Sequence, residues 1–245
     1  MTLFPGVALI TGAASGIGRA TAVSFAVEGC RKIAIADLNA AGLEETQKAI
    51  QEAAKDVQIV AIETDVSDEA QVNRMVEKTV AEFGRLDYGV NAAGTSHPLL
   101  FLKKGGILTK PLKSHEASSA EFDRINGINY RGAWLSSRAE ITQMLKQEPL
   151  PTHDGRPGSR GSVVNVASQL GVVGRSEAGT VCPGVISTPM TQPNMSFLAP
   201  AISIAPMNRP GTAQEVADTI LFLASPKASF VQGSALVVDG GYTIN

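Results

Sequence analysis

The sequence predicts an α/β fold in which a mainly parallel β-sheet is flanked by helices. Short apolar runs alternate with helical patterns along the chain, as in successive β-α-β units. A glycine-rich stretch, TGAASGIG, directly follows the first apolar run. The 245 residues, of which 44% are hydrophobic, suffice for one large domain. We therefore predict a single domain over residues 1–245.

Four strands are predicted in the N-terminal half, each a short apolar run of the kind that a parallel sheet buries on both faces. They are Val7–Thr11, Lys32–Asp37, Gln58–Thr64 and Leu86–Asn91. Helices are predicted between these strands, over Ile17–Glu28, over Asn39–Lys55 and over the segment after Ser67. Ser67 is predicted to cap the third helix, because a serine oxygen accepts bonds from free backbone N–H groups at a helix start.

The C-terminal half is predicted to contain two long loops, Thr95–Ala117 and Gln147–Arg160. Both exceed the usual connection of about 4–6 residues. Capping-box pairs, Ser118 with Glu121 and Thr212 with Glu215, predict the starts of two helices, which run to about Leu145 and Ala224. Strands are predicted over Ser162–Ser168 and Ala235–Asp239, and the letters TVC before Pro183 supply the end of a truncated sixth strand.

Composition argues against several classes of function. The net charge of −2 gives no indication of nucleic-acid binding. Two cysteines and three scattered histidines predict neither a disulfide framework nor a metal site. The first residues, MTLFPGVALITG, predict no signal peptide and no membrane span, so we expect a cytoplasmic protein.

The glycine-rich stretch predicts a dinucleotide site, because it lies between a strand and the start of a helix. A tight turn requires glycine, a diphosphate must approach bare backbone, and the N-terminal end of a helix attracts negative charge. The predicted binding residues of this stretch are Gly12, Ser15, Gly16, Ile17 and Gly18.

Asp37 closes the second predicted strand, 19 residues after Gly18. A carboxylate at this position accepts hydrogen bonds from the ribose hydroxyls and repels a 2′-phosphate, so NAD is favoured over NADP. The alternative role for Asp37 is a helix cap. Three basic residues nearby, Arg19, Arg31 and Lys32, weaken the preference because each could reach a phosphate.

Seven motifs occur in the order found in short-chain dehydrogenases/reductases, and the chain resembles that family over nearly its whole length. They are TGAASGIG, DV at Asp65–Val66, NAAG at Asn91–Gly94, NYRG at Asn129–Gly132, VVNVAS ending at Ser168, CPGVISTPM and VDGG. The resemblance implies a Rossmann-type, doubly wound sheet of seven parallel strands. It also implies a homodimer or homotetramer and an NAD(P)-dependent oxidoreductase acting on a secondary alcohol or ketone.

The resemblance assigns further cofactor contacts by position. Asp65 and Val66 would flank the adenine, and Asn91, Ala92 and Gly94 would line the cofactor. The nicotinamide carboxamide would be held by the segment from Pro183 to Thr188, through Pro183, Gly184, Ile186 and Thr188.

For catalysis, the resemblance implies a serine that binds the reacting oxygen, an asparagine that anchors a relay water, and a Tyr-x-x-x-Lys pair that moves the proton. Ser168 and Asn129 match the first two. No Tyr-x-x-x-Lys occurs in the sequence, whose tyrosines are Tyr88, Tyr130 and Tyr242. Free tyrosine has a pKa of about 10 and needs nearby positive charge to exchange protons near neutrality.

The sequence also leaves too little chain for the element that carries this pair. Only Gln169–Gly179 separates Ser168 from the next predicted strand, whereas a crossover to a parallel neighbour needs about a dozen residues or more. Three explanations stay open: residues missing from the sequence, a natural short variant, or another residue that carries the proton. We favour missing or deleted residues of an ancestral enzyme, and expect little or no activity from the 245-residue chain.

Substitute proton donors are weaker hypotheses. Tyr130 points about 100° away from Asn129 on a helix, so packing or helix–helix contact is its expected role. Tyr242 could reach a substrate mouth, and His97 could act as an acid at its ordinary pKa of about 6.5. The second functional hypothesis is a nucleotide-binding protein without redox turnover, with Thr95–Ala117 as its contact surface for partners.

Overall fold

A seven-stranded sheet forms the centre of the computed structural model, which describes residues 2–95, 118–168 and 179–244. The strands are β1 Val7–Thr11, β2 Lys32–Asp37, β3 Gln58–Glu63, β4 Tyr88–Asn91, β5 Ser162–Val166, β6 Gly179–Pro183 and β9 Ala235–Val238. The strand order is β3-β2-β1-β4-β5-β6-β9, and every neighbouring pair is parallel. This order confirms the predicted doubly wound parallel sheet.

Seven α-helices flank the sheet within the described residues. They are α1 Gly16–Val27, α2 Ala40–Ala53, α3 Glu69–Phe83, α4 Ser119–Asn126, α5 Ala133–Met144, α6 Met195–Ile204 and α7 Ala213–Ala224. Two short parallel strands, β7 Ile186–Ser187 and β8 Gly211–Thr212, pair outside the main sheet. None of the described helices is both long enough and apolar enough to cross a membrane.

Two apolar clusters hold the layers together. On one face, α1 and α7 pack against each other and cover Ala8 and Ile10, and Phe25 of α1 meets the ring of Phe4 edge to face. On the other face, the cluster of α3 and α5 covers Val7 and Leu9. Because alternate residues of β1 belong to opposite clusters, the strand is buried on both faces, as a central parallel strand requires.

Helix starts agree with the predicted caps except at α3. Thr212 and Glu215 form the predicted capping box of α7, and the Ser118 hydroxyl accepts the Glu121 N–H at the start of α4. The prediction that Ser67 caps α3 is wrong by one residue: Asp68 is the cap and accepts from the N–H groups of Ala70 and Gln71.

The predicted helix through Asn129 is not a uniform α-helix. Six residues, Gly127–Gly132, form a π-helix between α4 and α5. A π-helical turn adds a residue to the helical repeat and changes the direction of the side chains around it, and such turns are frequent at functional sites. The segment Gly127–Gly132 contains Asn129, so the distortion lies at a predicted site residue.

Candidate active site

The predicted site residues follow the carboxyl ends of neighbouring strands. β1 ends at Thr11, β2 at Asp37, β4 at Asn91 and β5 at Val166. In a doubly wound sheet, these ends and the loops after them form the crevice in which ligands bind. The motifs therefore lie along one edge of the sheet, in the spatial order of the strands, β3-β2-β1-β4-β5-β6.

The glycine-rich turn requires glycine at several points. Gly12 and Gly16 have φ angles of 68° and 53°, which L side chains rarely adopt. A Cβ atom on Gly12 would lie 2.5 Å from the carbonyl oxygen of Ala92, and one on Gly18 would lie 2.2 Å from that of Gly12. The turn therefore presents bare backbone in front of α1.

The start of α1 suits a negatively charged ligand. The helix begins at Gly16, its first turn contains no acidic residue, and the Ser15 side chain makes no capping hydrogen bond. The first N–H groups of a helix have no partner within the helix, and its dipole is positive at this end. The described residues thus leave room here for a diphosphate to act as the cap.

Asp37 holds the glycine-rich turn in place. One carboxylate oxygen accepts the N–H of Ala14 at 3.0 Å, and the other accepts that of Asn39 at 3.0 Å. The alternative that Asp37 caps the next helix is wrong, because Asn39 is the cap of α2 and accepts the N–H of Gly42. The carboxylate is thereby fixed beside the turn, with lone pairs left for ribose hydroxyls.

The three basic residues that weakened the NAD prediction are placed differently from one another. Arg31 precedes β2 and Lys32 is its first residue, so both lie at the opposite end of that strand from Asp37. Arg31 forms a salt bridge with Asp56 at 2.7 Å. Arg19 lies near the turn, where it binds the Ala14 carbonyl and pairs with Glu45 at 2.8 Å.

Asp65 and Val66 form a short turn after β3. The Asp65 carboxylate accepts the backbone N–H of Ser67 at 2.9 Å and its hydroxyl at 2.7 Å. Val66 is buried and lies against Gly132, where a Cβ atom would be 2.9 Å from the Val66 side chain. The glycine of NYRG thus allows the helix to approach this turn closely.

Asn129 clamps the backbone that follows NAAG. Its carbonyl oxygen accepts the N–H of Thr95 at 2.7 Å, and its amide donates to the carbonyl of Thr95 at 2.8 Å. The π-helical segment therefore fixes the chain beyond Gly94. Ser168 lies two residues past the end of β5, on the same edge of the sheet, and is exposed.

Asn91 has its side chain inside the protein. It is 2% exposed and donates to Ser137 Oγ at 3.2 Å, Glu140 Oε2 at 3.1 Å and Asn165 Oδ1 at 3.0 Å. The residue was predicted to line the cofactor. In this arrangement a cofactor would meet it through its backbone, while the side chain joins β4 to β5 and α5.

Glu140 lies in this buried cluster, and nothing in the sequence pattern indicates that its side chain is buried. Its side chain is fully buried, and burial raises the pKa of its carboxyl group to about 8. Oε1 has no hydrogen-bond partner among the described residues, and neither has Asn91 Oδ1. A Cβ atom on Gly89 would lie 2.5 Å from Glu140 Oε2, so that glycine makes room for the carboxyl.

The segment predicted to hold the nicotinamide reaches back to the glycine-rich turn. Gly184 donates its N–H to the carbonyl of Val238 at 2.9 Å, and Ile186 is buried in β7. A Cβ atom on Gly16 would lie 3.4 Å from the Thr188 side chain. The end of β6 and the start of α1 therefore border the same crevice, after Pro183 ends the strand.

The tyrosines lie in three different environments. Tyr88 is in the core, where its ring lies 5.8 Å from that of Phe25 and burial raises its pKa above the ordinary value. Tyr130 is 69% exposed. Tyr242 lines a cavity of about 310 Å³ near the end of β9. His97 and most of Thr95–Ala117 lie outside the described residues.

Comparison with known proteins agrees with this geometry. A family model described as short chain dehydrogenase matches residues 6–180, and one described as Enoyl-(Acyl carrier protein) reductase matches residues 177–243. The chain is 35% identical over 257 residues to 2-(R)-hydroxypropyl-CoM dehydrogenase of Xanthobacter autotrophicus, covering 97% of this chain and 98% of that one. It is 34% identical over 261 residues to levodione reductase of Leifsonia aquatica, covering 96% and 93%.

Solved structures resemble the whole fold. The crystal structure of levodione reductase has a TM-score of 0.83 at 32% identity and covers 98% of both chains. That of 3-ketoacyl-(acyl-carrier-protein) reductase from Brucella melitensis, complexed with NADH, has a TM-score of 0.79 at 30% identity and covers 99% of this chain and 100% of that one. The chain belongs to the short-chain dehydrogenase/reductase family of oxidoreductases.

Proposed function

We propose that the protein binds NAD(H) and belongs to the enzymes that transfer a hydride between nicotinamide and a secondary alcohol or ketone. The observation that carries this proposal is the bare-backbone turn at the start of α1, fixed to the carboxylate of Asp37. Because glycines keep side chains out of the turn, a diphosphate can lie against the N–H groups at the helix start. The cofactor, when bound, accepts or donates the hydride.

The residues proposed to hold each part of the cofactor are those that the family resemblance assigns. Gly12, Ser15, Gly16, Ile17 and Gly18 would hold the diphosphate, and Asp37 would accept hydrogen bonds from the ribose. Asp65 and Val66 would contact the adenine, and Asn91, Ala92 and Gly94 would line the cofactor. The segment from Pro183 to Thr188 would hold the nicotinamide, a role supported by the position of Thr188 beside the turn at Gly16.

NAD is preferred over NADP in this proposal. The Asp37 carboxylate would repel a 2′-phosphate, and of the basic residues nearby only Arg19 lies at the same end of β2, where Glu45 pairs with it. A related protein, the Brucella reductase, was crystallised with NADH.

Hydride transfer also requires a proton at the substrate oxygen. In our proposal Ser168 donates a hydrogen bond to that oxygen, and Asn129 fixes the neighbouring backbone through Thr95. The Tyr-x-x-x-Lys motif, whose lysine would lower the pKa of the tyrosine, does not occur in the sequence. We therefore infer that the 245-residue chain turns over slowly or not at all.

The covering of the sheet supports a deletion before β6. On the sheet, the extensive contacts of β6 and β9 with described helices are with α7, on one face. A parallel strand is ordinarily covered on both faces, so a second helix is expected there.

The alternative is a nucleotide-binding protein of the same fold that acts without redox turnover. The missing Tyr-x-x-x-Lys favours it, while the intact turn at Gly12–Gly18 fits both alternatives. The two differ in what happens after the cofactor binds, so an experiment must measure binding and turnover on the same sample.

The test begins with the intact mass of the native protein. A mass of 25.5 kDa would show that the native protein is the short chain. A mass larger by about that of a helix and a strand would show that the native protein contains the segment expected to carry the Tyr/Lys pair. NADH binding and reduction of a ketone panel are then measured on that sample. Binding with background turnover supports our account of the short chain; no binding overturns the proposed function, and fast turnover at 25.5 kDa overturns the need for a Tyr/Lys pair.

We also propose that the protein self-associates through α5 and the π-helix before it, as a homodimer or homotetramer. Tyr130, Trp134, Ile141 and Leu145 are 69%, 53%, 37% and 68% exposed, and their spacing of four, seven and four residues places them along one side of this helix. An apolar stripe of this size marks a protein contact more often than a solvated surface. Sedimentation velocity tests it, and a monomer at micromolar concentration contradicts it.

A cytoplasmic location is part of the same proposal. Both cysteines, Cys30 and Cys182, are buried as free thiols, and burial raises the pKa of each. Free buried thiols fit a reducing compartment. Fractionation of the cells that make the protein tests this location.

A further inference from the structure

Glu140 is a buried acid that the proposed hydride transfer does not use. It belongs to α5, its side chain is completely buried, and its carboxyl group lies against the end of β4. Oε2 accepts the side-chain amide of Asn91 at 3.1 Å, and a Cβ atom on Gly89 would lie 2.5 Å from the same oxygen. The carboxyl group is therefore enclosed between α5 and the sheet, beside the last residues of a central strand.

The hydrogen bonds of this cluster show that it needs a further donor. The Asn91 amide has two hydrogens but lies within bonding distance of three acceptors, on Ser137 at 3.2 Å, Glu140 at 3.1 Å and Asn165 at 3.0 Å. Three buried oxygens, Asn91 Oδ1, Ser136 Oγ and Glu140 Oε1, have no hydrogen-bond partner among the described residues. A proton on Glu140 supplies a donor where acceptors are in excess, so the geometry favours the neutral acid.

Among the described residues, no charged side chain offsets a negative charge on Glu140. From α3, Glu69 pairs with Arg138 of α5 and lies 3.7 Å from Arg131 of the π-helix, and the other charged residues of α3 are exposed. β5 contains no charged residue, and Tyr88 of β4 belongs to the apolar cluster on the opposite face of the sheet. Burial therefore raises the pKa of the Glu140 carboxyl to about 8, and the hydrogen bond from the neutral amide opposes this only in part.

The cluster lies at the edge of the sheet where the cofactor is proposed to bind. Asn91 is the last residue of β4, and Asn165 is its partner in the register of β5. The backbone from Asn91 to Gly94 is proposed to line the cofactor, and Ser168 follows Asn165 along the chain. A charge on Glu140 would act on a bound nicotinamide through buried protein, where electrostatic interactions are stronger than in water.

The nicotinamide ring carries a positive charge in NAD⁺ and none in NADH. We propose that Glu140 releases its proton when NAD⁺ binds and retains it when NADH binds, so that this core residue distinguishes the oxidised from the reduced cofactor. On NAD⁺ binding the O–H bond of the carboxyl breaks, the proton goes to solvent, and the electron pair stays on the carboxylate. The inference rests on the proposed function, because it requires a nicotinamide at this edge of the sheet.

The test counts protons and needs no turnover. NAD⁺ and NADH are titrated separately into the full 245-residue chain by calorimetry, in phosphate and in Tris buffer, whose different heats of ionisation reveal the protons exchanged. At about pH 7.5 we expect NAD⁺ to release about half a proton per chain and NADH to release none, because the positive ring favours the carboxylate. Between about pH 6 and about pH 9.5, the ratio of NAD⁺ affinity to NADH affinity should rise about tenfold.

A matched pair of variants assigns the proton to its residue. Glu140→Gln should bind both cofactors, release no proton and give an affinity ratio that does not change with pH. Glu44→Gln makes the same change at an exposed position of α2 and should behave as the unmodified chain. A purely structural role for Glu140 would instead change both affinities alike and leave the pH profile of their ratio as it is in the unmodified chain.

The outcomes separate this inference from the proposed function. If neither cofactor binds the unmodified chain, the proposed function is refuted, and this inference with it. If both cofactors bind and NAD⁺ releases no proton from the unmodified chain, this inference alone is refuted. The same holds if Glu140→Gln releases as many protons as the unmodified chain.

Discussion

The strands β1 and β5 are both interior strands, yet their burial differs. All five residues of β1 are buried, whereas in β5 only Val164 is fully buried. β1 has buried apolar residues in the clusters on both faces, whereas β5, which contacts α7 and α5, has one fully buried residue, Val164. The comparison teaches that, among the described residues, the cofactor half of the sheet (β1 to β4) has its central strand covered on both faces, while the strand that leads to Ser168 is covered less completely.

The largest effect is expected from the cofactor half. Gly12→Val should weaken NADH binding at least about 100-fold, because a side chain there collides with backbone and disfavours the positive φ. Fluorescence titration of NADH measures it. Gly84→Ala is the matched control: Gly84 also has a positive φ, but nothing lies within 4 Å of its Cβ position, and NADH affinity should be unchanged. Equal losses in both variants would contradict a specific role for the first turn.

Glu140 is buried against Asn91, and we expect its carboxyl group to make the stability of the protein depend on pH. Below about pH 4.5 the carboxyl is protonated in both the folded and the unfolded chain. As pH rises, the unfolded chain ionises first, so stability falls until the folded carboxyl ionises at its pKa of about 8. Glu140→Gln removes this fall, so its stability relative to the unmodified chain should grow by about 4 kcal/mol between pH 4 and pH 8.

Chemical unfolding at several pH values measures this difference. The same change at the exposed Glu44 should leave the profile unaltered. If Glu140→Gln follows the unmodified chain from pH 5 to pH 9, the buried carboxyl does not carry its proton as we infer.

A variant of Asp37 tests whether this carboxylate sets the preference for NAD. Asp37→Asn removes the negative charge and keeps an oxygen that can accept the N–H of Ala14. We expect the ratio of NADH to NADPH affinity to fall about tenfold, since the repulsion of a 2′-phosphate is lost. Competition titrations with the two cofactors measure the ratio. An unchanged ratio would show that Asp37 only holds the turn.

The smallest effect is expected at the start of α3. Asp68→Ala should lower the Tm by about 2–4 °C, because two helix N–H groups lose their acceptor. Ser67→Ala, at the residue that the sequence pattern favours as the cap, should lower it less. Differential scanning calorimetry distinguishes the two, and a larger loss in the serine variant would contradict the observed cap.

The sequence predicts the fold well where apolar runs end at glycine or aspartate. The bounds of β1 and β2 agree with the prediction because each run stops at a polar or turn residue. The cap of α3 differs because Ser67 and Asp68 are both good caps, and the choice depends on backbone geometry. The π-helix at Gly127–Gly132 is not visible because its residues fit an α-helical pattern equally well.

The candidate site is less predictable than the fold. Motif order indicates which residues reach the carboxyl edge, but not which way their side chains point. Asn91 faces inward because Glu140 and Asn165 meet it there. A glutamate in a helix is normally solvent-exposed, so only the packed structure identifies Glu140 as buried. The assigned ligand contacts themselves stay predictions.

The most direct test of the central claim is a calorimetric titration of NADH into the intact 245-residue chain of 25.5 kDa, followed by addition of a neutral ketone to the same cell. We predict saturable binding of one NADH per chain, and no oxidation of NADH above background after the ketone is added. Absence of NADH binding would contradict the account of the glycine-rich turn. Rapid oxidation of NADH would contradict our inference that the chain without the Tyr/Lys pair turns over slowly or not at all.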